Sequence, residues 1–243
     1  MAVRYIIQAR MFSTRLPGKI LMQIGNKTLI QHIIDRLFLS GADRSEICFA
    51  LGEEGANELS EYLDNQNILW ITGDTHDVLS RYIKASQDMS IKDTIVRLTA
   101  DNPFIDFLCL KDNVKIFQGE IDTDLSYPFK LPLGMGYEMF SRGALIKQLD
   151  YDLKSHHTEH VTTFIKENKN IFKVKPVNYY LNMPDIRLTI DYEQDLMQAR
   201  KMYDYFKDRD LSEFCSDDVY NLYKINSDFF SINRAMRQKD ARE

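Results

Sequence analysis

Two groups of side chains in this sequence have the types and spacing that chemistry requires, one basic and one acidic. Arg10, Arg15 and Lys19 bring three cations close together, with Ser13 and Thr14 between them as hydrogen-bond donors. Arginine suits bidentate contact with phosphate oxygens and lysine supplies a compact charge. Leu16-Pro17-Gly18 separates two of the cations with a rigid turn, Pro fixing one backbone angle and Gly permitting close approach. Such a loop suits a polyphosphate; as a bare charge pattern it is equally a solvated basic turn. The acidic group is Asp101 and Asp191, each at the end of a β-prone run. Asp101 is read as a metal ligand, because a carboxylate at a strand's end offers a hard cation an oxygen; the competing reading is a turn residue ahead of Pro103. Glu193 and Asp195 follow Asp191 at a helix start, where the helix dipole favours acids without any metal.

The elements that must position these groups follow an alternating pattern. Val3 to Ala9 is β-branched and aromatic, reads as a buried strand, and changes polarity at Gln8 and Arg10. In open α/β sheets ligands bind at such carboxyl ends. Leu29, Ile30, Ile33, Ile34, Leu37 and Phe38 recur at helical spacing, with Gly41 as a stop. Ile47 to Leu51 reads as a strand, residues 55 to 64 as a helix, Ile68 to Ile71 as a strand, a helix capped by Asp77 follows, and Thr94 to Thr99 is the next strand. After a helix over 106 to 118 the rhythm breaks. Pro128, Pro132, Gly134 and Gly136 sit among aromatic residues in a long substrate-side loop or hairpin. Phe172 to Val177 and Arg187 to Ile190 are predicted as the last strands.

Gln-Ala-Arg-x-x-Ser-Thr-Arg-Leu-Pro-Gly-Lys, residues 8 to 19, resembles the signature of the cytidylyltransferases, closest to the SpsF-like group of spore-coat polysaccharide synthesis. Three further segments resemble motifs of that group: Gly-Asp-x-x-Asp-Val-Leu-x-Arg-Tyr at 73 to 82, Arg-Leu-Thr-Ala-Asp-Asn-Pro-Phe-Ile-Asp at 97 to 106, and Arg-Leu-Thr-Ile-Asp-Tyr-Glu-Gln-Asp-Leu at 187 to 196. The resemblance implies an α/β, Rossmann-like nucleotide-diphospho-sugar transferase fold with a mixed, mostly parallel sheet and helices on both faces. It implies a CTP-dependent nucleotidyltransferase that passes CMP to a sugar acid or a sugar or polyol phosphate and releases pyrophosphate. It also implies magnesium held by Asp101 and Asp191, and a nucleotide held by Ala9, Arg10, Ser13, Thr14, Arg15, Lys19, Asp77, Arg81 and Thr99. Leu-Pro-x-Gly-x-x-x-Glu and Glu-His-Val-Thr-x-Phe-Ile resemble acceptor-side segments, which points to Glu138, Glu159, His160 and Arg187; the second segment also suits a contact between the subunits of a homodimer. Phe12 stands where many members carry Gly, so the loop either bends differently or lays a ring over the base. Two other readings stay open: a different nucleoside triphosphate as donor, or a non-catalytic nucleotide-binding regulator.

The 243 residues suit one α/β domain over 1 to 206, with a substrate-side excursion at about 122 to 180 and a helical extension over 207 to 243. Phe229, Phe230, Ile232 and Met236 give that tail apolar residues with which to fold back or to support a dimer. A formal charge of -5 makes the N-terminal cations a local feature and argues against a nucleic acid as partner. Cys48, Cys109 and Cys215 lie far apart and read as reduced packing residues. No apolar run is long enough to span a bilayer and the N-terminus is strand-like, so the cytoplasm is the expected compartment. His156, His157, Glu159 and His160 invite a zinc site, which is rejected because two of the histidines are adjacent and the sequence offers nothing to complete a tetrahedral set.

Overall fold

The computed structural model describes residues 1–120, 122–178, 186–208 and 213–236. The ends of the expected excursion and of the expected tail therefore lie partly outside the described residues. The chain runs β1 (Val3–Ala9), a small hairpin of β2 (Gln23–Ile24) and β3 (Lys27–Thr28), α1 (Leu29–Leu39), β4 (Ile47–Gly52), α2 (Ala56–Asn65), β5 (Leu69–Gly73), α3 (Val78–Ala85), β6 (Thr94–Thr99) and α4 (Phe107–Gly119). It continues through β7 (Leu125–Phe129), β8 (Glu138–Ser141), α5 (Arg142–Lys147), α6 (Ser155–Glu159), α7 (Thr163–Glu167), β9 (Val174–Asn178), α8 (Glu193–Lys207) and α9 (Ser216–Ile225).

β1 is apolar on both faces because both are covered. Tyr5, Ile7 and Ala9 enter a core shared with α1, α2, α4, α8 and α9, whereas Ile6 enters a second core built with α3, α5 and α7. A strand buried on both sides reads as a continuous apolar run, which is why this one is legible from sequence. The seven-stranded sheet has the order β5-β4-β1-β6-β8-β7-β9. β8 runs antiparallel to β6 and β7, and the other pairings are parallel. From β1 the chain builds outward through β4 and β5, then returns to lay β6 on the other side of β1. The reversal parts the connections beyond the carboxyl ends of β1 and β6, and a crevice opens there.

Local chemistry fixes the helix starts. Thr28, Asp77, Asp106 and Ser141 cap α1, α3, α4 and α5 by accepting the amide hydrogens of Gln31, Ser80, Cys109 and Ala144. The Pro- and Gly-rich stretch forms the antiparallel β7–β8 pair, so the hairpin alternative holds.

One expectation needs correction. Arg187 to Ile190 is extended but is not a sheet strand: it joins Leu133 through one bridge, with hydrogen bonds from Leu133 N to Ile186 O (2.9 Å) and from Leu188 N to Leu133 O (2.7 Å). Its apolar residues are buried against a loop rather than a strand, and burial alone does not tell those apart in sequence. Two short helices, α6 and α7, are parted at Val161, whose φ of 39° is outside the helical range. The described tail folds back, with Phe214, Val219, Leu222, Phe229 and Phe230 in the same core as β1. Arg36, fully buried, fastens it by donating to the carbonyls of Ile105 (3.0 Å) and Phe214 (2.9 Å). Among the described residues no helix is long and apolar enough to cross a membrane.

Candidate active site

A cleft of about 510 Å³ occupies the predicted crevice, and its lining brings together residues from every motif singled out above. Ala9, Arg10, Ser13, Thr14, Arg15 and Lys19 enter from β1 and the loop after it. The loop closes on itself through the Gly18 amide on the Met11 carbonyl (3.1 Å) and the Leu16 amide on Ser13 Oγ (3.5 Å), while Gly18 takes a left-handed φ of 69°. Met11 pins the loop against the start of α2, where a Cβ on Gly55 would lie 2.6 Å from that of Met11. Phe12 lies beside the same glycine, is 57 % exposed, and is not among the residues that line the cleft.

Lys19 is buried, and its ammonium sits between the two carboxylates singled out from the sequence. Nζ donates to Asp191 Oδ1 at 3.0 Å, to Asp101 Oδ2 at 3.4 Å and to the Ile190 carbonyl at 2.5 Å. Thr99 Oγ1 holds the other Asp101 oxygen at 2.6 Å. Arg15 Nη2 reaches Asp191 Oδ1 at 3.2 Å, and the guanidinium lies over the Tyr192 ring at 5.0 Å. Burial would raise the Asp191 carboxyl, but Lys19, Arg15 and Arg187 outweigh it and hold the group below the usual range.

Arg187, expected at the acceptor, is instead a buried support. It donates to Asp191 Oδ2 (3.0 Å) and grips Asp195 with Nε (2.8 Å) and Nη2 (3.0 Å). Asp195 in turn accepts the backbone amides of Asp191 and Tyr192, both at 3.0 Å, and Asn233 from the tail donates to Asp195 Oδ1 at 2.8 Å. Asp195 and Asn233 were not anticipated: an acid in a helix's first turn is so common that its sequence carries no sign of a second role.

At the other end of the cleft, Arg81 is buried and lines the wall. It donates to the carbonyls of Ala50 (2.6 Å), Ala9 (3.3 Å) and Thr75 (3.4 Å), and among the described residues it pairs with no carboxylate. Burial holds its pKa below the usual value. Asp77 does not line the cleft; it caps α3, as its position suggested.

Glu159 and His160 do line the cleft, whereas Glu138 does not. Glu138 accepts from Arg97 Nη1 (2.7 Å), Thr162 Oγ1 (2.7 Å) and Lys166 Nζ. Burial would push its carboxyl up, yet Arg97 and Lys166, with the hydrogen bonds from Lys166 and Thr162, hold it at about 2. Arg97 itself reaches the cleft wall together with Gln8. The missed signal was a cation in the middle of an otherwise apolar strand. His160 is held below its usual value by burial and then by Arg97. His156 and His157 approach Glu167, a third possible ligand that adjacency in sequence concealed. The geometry is a hydrogen bond rather than a ligand set: His157 Nδ1 accepts the Lys154 amide (3.1 Å), so Nε2 carries the proton and donates to Glu167 Oε2 (3.0 Å).

Comparison with known proteins identifies the family. The cytidylyltransferase family model matches residues 5–226. The spore coat polysaccharide biosynthesis protein SpsF of Bacillus subtilis is 30 % identical over 212 residues, 83 % of this chain and 86 % of that protein. A 3-deoxy-manno-octulosonate cytidylyltransferase of Coxiella burnetii is 34 % identical over 108 residues, 43 % of this chain and 42 % of that one. The structure of a cytidylyltransferase from Leptospira borgpetersenii superposes with a TM-score of 0.88 at 28 % identity, covering 98 % of this chain and all of the other. On a family match that spans residues 5–226 and a relative 30 % identical over most of both chains, the chain belongs to the cytidylyltransferase family and is a nucleotidyltransferase.

Proposed function

We propose that this enzyme transfers CMP from CTP to a sugar acid or a sugar or polyol phosphate, releasing pyrophosphate, in the making of a surface polysaccharide or glycoconjugate. The observation that carries the reading is the Lys19 ammonium held between Asp101 and Asp191 at the mouth of a loop that bears Arg10 and Arg15. One cation already sits within hydrogen-bond reach of both carboxylates, so the pair forms a compact set of hard oxygen donors that fits magnesium. Bound there by Asp101 and Asp191, magnesium would neutralise phosphate charge as the transition state forms.

The residues divide the work. Arg10, Arg15 and Lys19 hold the triphosphate and take up charge on the departing pyrophosphate. An acceptor oxygen attacks the α-phosphorus in line, the bond to the bridging oxygen breaks, and pyrophosphate leaves with the electron pair. A hydroxyl acceptor gives up its proton in that step. His160, neutral and on the cleft wall beside Glu159, can take the proton; a phosphate acceptor has none to lose.

Pyrophosphate release, measured with each of the four common nucleoside triphosphates against a panel of acidic sugars and sugar or polyol phosphates, tests the reading. Turnover is expected with CTP, to depend on magnesium, and to be lost in Asp101→Asn and Asp191→Asn while both variants stay folded. Turnover with another triphosphate would move the donor, and no release with any combination would leave nucleotide binding without catalysis.

A further inference from the structure

We infer that Arg97 and Gln8 form the subsite that takes an anionic group of the acceptor, with Glu138 as the positioning residue that aims Arg97. The inference rests on the nucleotidyl-transfer reading and adds what the acceptor must carry.

Arg97 Nε donates to Gln8 Oε1 at 3.1 Å, and Nη1 donates to Glu138 Oε2 at 2.7 Å. A guanidinium has donors only, so the oxygen of the Gln8 amide must be the atom that faces it. The amide nitrogen of Gln8 therefore points elsewhere. Neither that nitrogen nor Arg97 Nη2 has a hydrogen-bond partner among the described residues, and both side chains line the cleft. Donors on a cleft wall call for acceptors.

The charge asks for the same thing. Glu138 is shared between two cations, Arg97 and the partly exposed Lys166, so it neutralises the guanidinium only in part, and Glu159, which also lines the cleft, pairs with neither cation. The Arg97 and Glu138 side chains are each only 13 % exposed, and in such surroundings a guanidinium that is neutralised only in part attracts an anion strongly. The edge of a nucleobase alternates donors and acceptors and matches a cationic, donor-only surface less well than a carboxylate or phosphate does.

The position fits the acceptor rather than the triphosphate. Arg97 lies within β6 and pairs with Glu138 on β8, whereas Asp101 follows the end of that strand and pairs with Lys19. Glu138 also accepts from Thr162 at 2.7 Å and so ties down the turn that presents Glu159 and His160. Within that turn Val161, fully buried, keeps a φ of 39° that a β-branched residue adopts only under constraint. One buried carboxylate thus sets the Arg97 guanidinium and the His160 turn in a fixed relation.

The test uses the full chain, CTP, and two probes that distinguish the sources of negative charge: 3-deoxy-manno-octulosonate, a carboxylate, and glucose 1-phosphate. Initial rates of pyrophosphate release are measured for wild type, Arg97→Gln and Gln8→Ala. Arg97→Gln is expected to raise the KM of the accepted probe by about 10- to 100-fold, the scale of one charge-assisted hydrogen bond, with the KM for CTP within about twofold. Gln8→Ala keeps the buried pair intact, serves if the first variant misfolds, and is expected to raise the same KM by about threefold to tenfold. Where neither probe turns over, both are titrated calorimetrically into wild type and the variants. Equal affinity for wild type and variants, no binding to wild type, or a rise confined to the KM for CTP would each overturn the inference, the last making Arg97 a reader of the base. A parallel titration of CTP keeps the claims apart, because failure of wild type to bind CTP sinks the nucleotidyl-transfer reading and leaves the probe titrations to judge Arg97.

Discussion

Glu138→Gln preserves the shape of a buried side chain and removes the one negative charge that Arg97 and Lys166 share. The native carboxyl sits at about 2 instead of 4.5, a gap that corresponds to ~3 kcal/mol of folding stability. An independent scale agrees, since breaking a buried ion pair by removing one partner typically costs about 3–5 kcal/mol. The folded pKa lies below the unfolded one. The contribution is therefore complete above about pH 4.5 and is lost as pH falls toward about 2. Linkage between those two values leaves roughly 2 kcal/mol at a pH of about 3.5. Urea denaturation of both proteins at neutral pH and at that acid pH reads the effect directly. The expected gap is ~3 kcal/mol at neutral pH, with a lower thermal midpoint by roughly 6–12 °C, narrowing by about a third in acid. A neutral-pH gap below about 1 kcal/mol, or one that stays constant or widens in acid, would show that the carboxylate is not held by its neighbours as described.

Three further outcomes follow from the same geometry. Lys19→Ala should lower kcat by about 10²- to 10³-fold, because it removes a donor aimed at developing charge and leaves Asp101 and Asp191 facing each other; steady-state kinetics with saturating CTP and magnesium would measure it, and unchanged kcat would place Lys19 outside the chemistry. Gly134→Ala should cost about 3 kcal/mol or more and reduce turnover, since the residue has a φ of 101° and a Cβ there would lie 2.6 Å from the Leu188 carbonyl carbon, in the segment that leads to Asp191; thermal melts and activity together check this. Phe12→Gly should change CTP affinity by less than about twofold in a calorimetric titration, because an exposed ring that leans on Gly55 has no place on the cleft wall.

How much of this could be read from sequence depended on whether a signal was local. β1, β4 and β6 announce themselves because sheet burial on both sides demands apolar runs, and α1 because its apolar stripe begins at a Thr cap and stops near Gly41. The loop from Arg10 to Lys19 was legible because a turn and its charges share one short stretch. The residues that hold Asp191 were not, since the bonds from Arg187 to Asp195 and from Asn233 to Asp195 become visible only once the chain has folded. Glu138 shows the limit from the other side. Its motif position marked it for the acceptor, but its partners are Arg97 from β6 and Thr162 and Lys166 from the cap and body of α7, and together they enclose it behind the cleft wall. The segment 187–190 misled for a plainer reason: apolar residues buried beneath a loop alternate no differently from those in a strand.

The tail runs past the stretch that the family match covers and still reaches the site. The cytidylyltransferase model ends at residue 226, short of Asn233, yet Asn233 is buried and donates both to Asp195 and to the Arg187 carbonyl at 2.9 Å. Asp195 can hold the backbone amides of Asp191 and Tyr192 only while its own carboxylate is fixed, and Arg187 and Asn233 fix it from different sides. Phe229 and Phe230 are buried in the main core and bring Asn233 to that position, so the free energy that anchors the tail is apolar burial rather than the polar contact at its end. A carboxylate beside three cations needs such support. Without a rigid frame Asp191 could swing to satisfy Arg15 or Arg187 and leave Asp101, whereas the frame holds it where one cation can meet both acids. The apolar tail, remote from the site in sequence, thereby helps to keep Asp191 within reach of the Lys19 ammonium that Asp101 also meets.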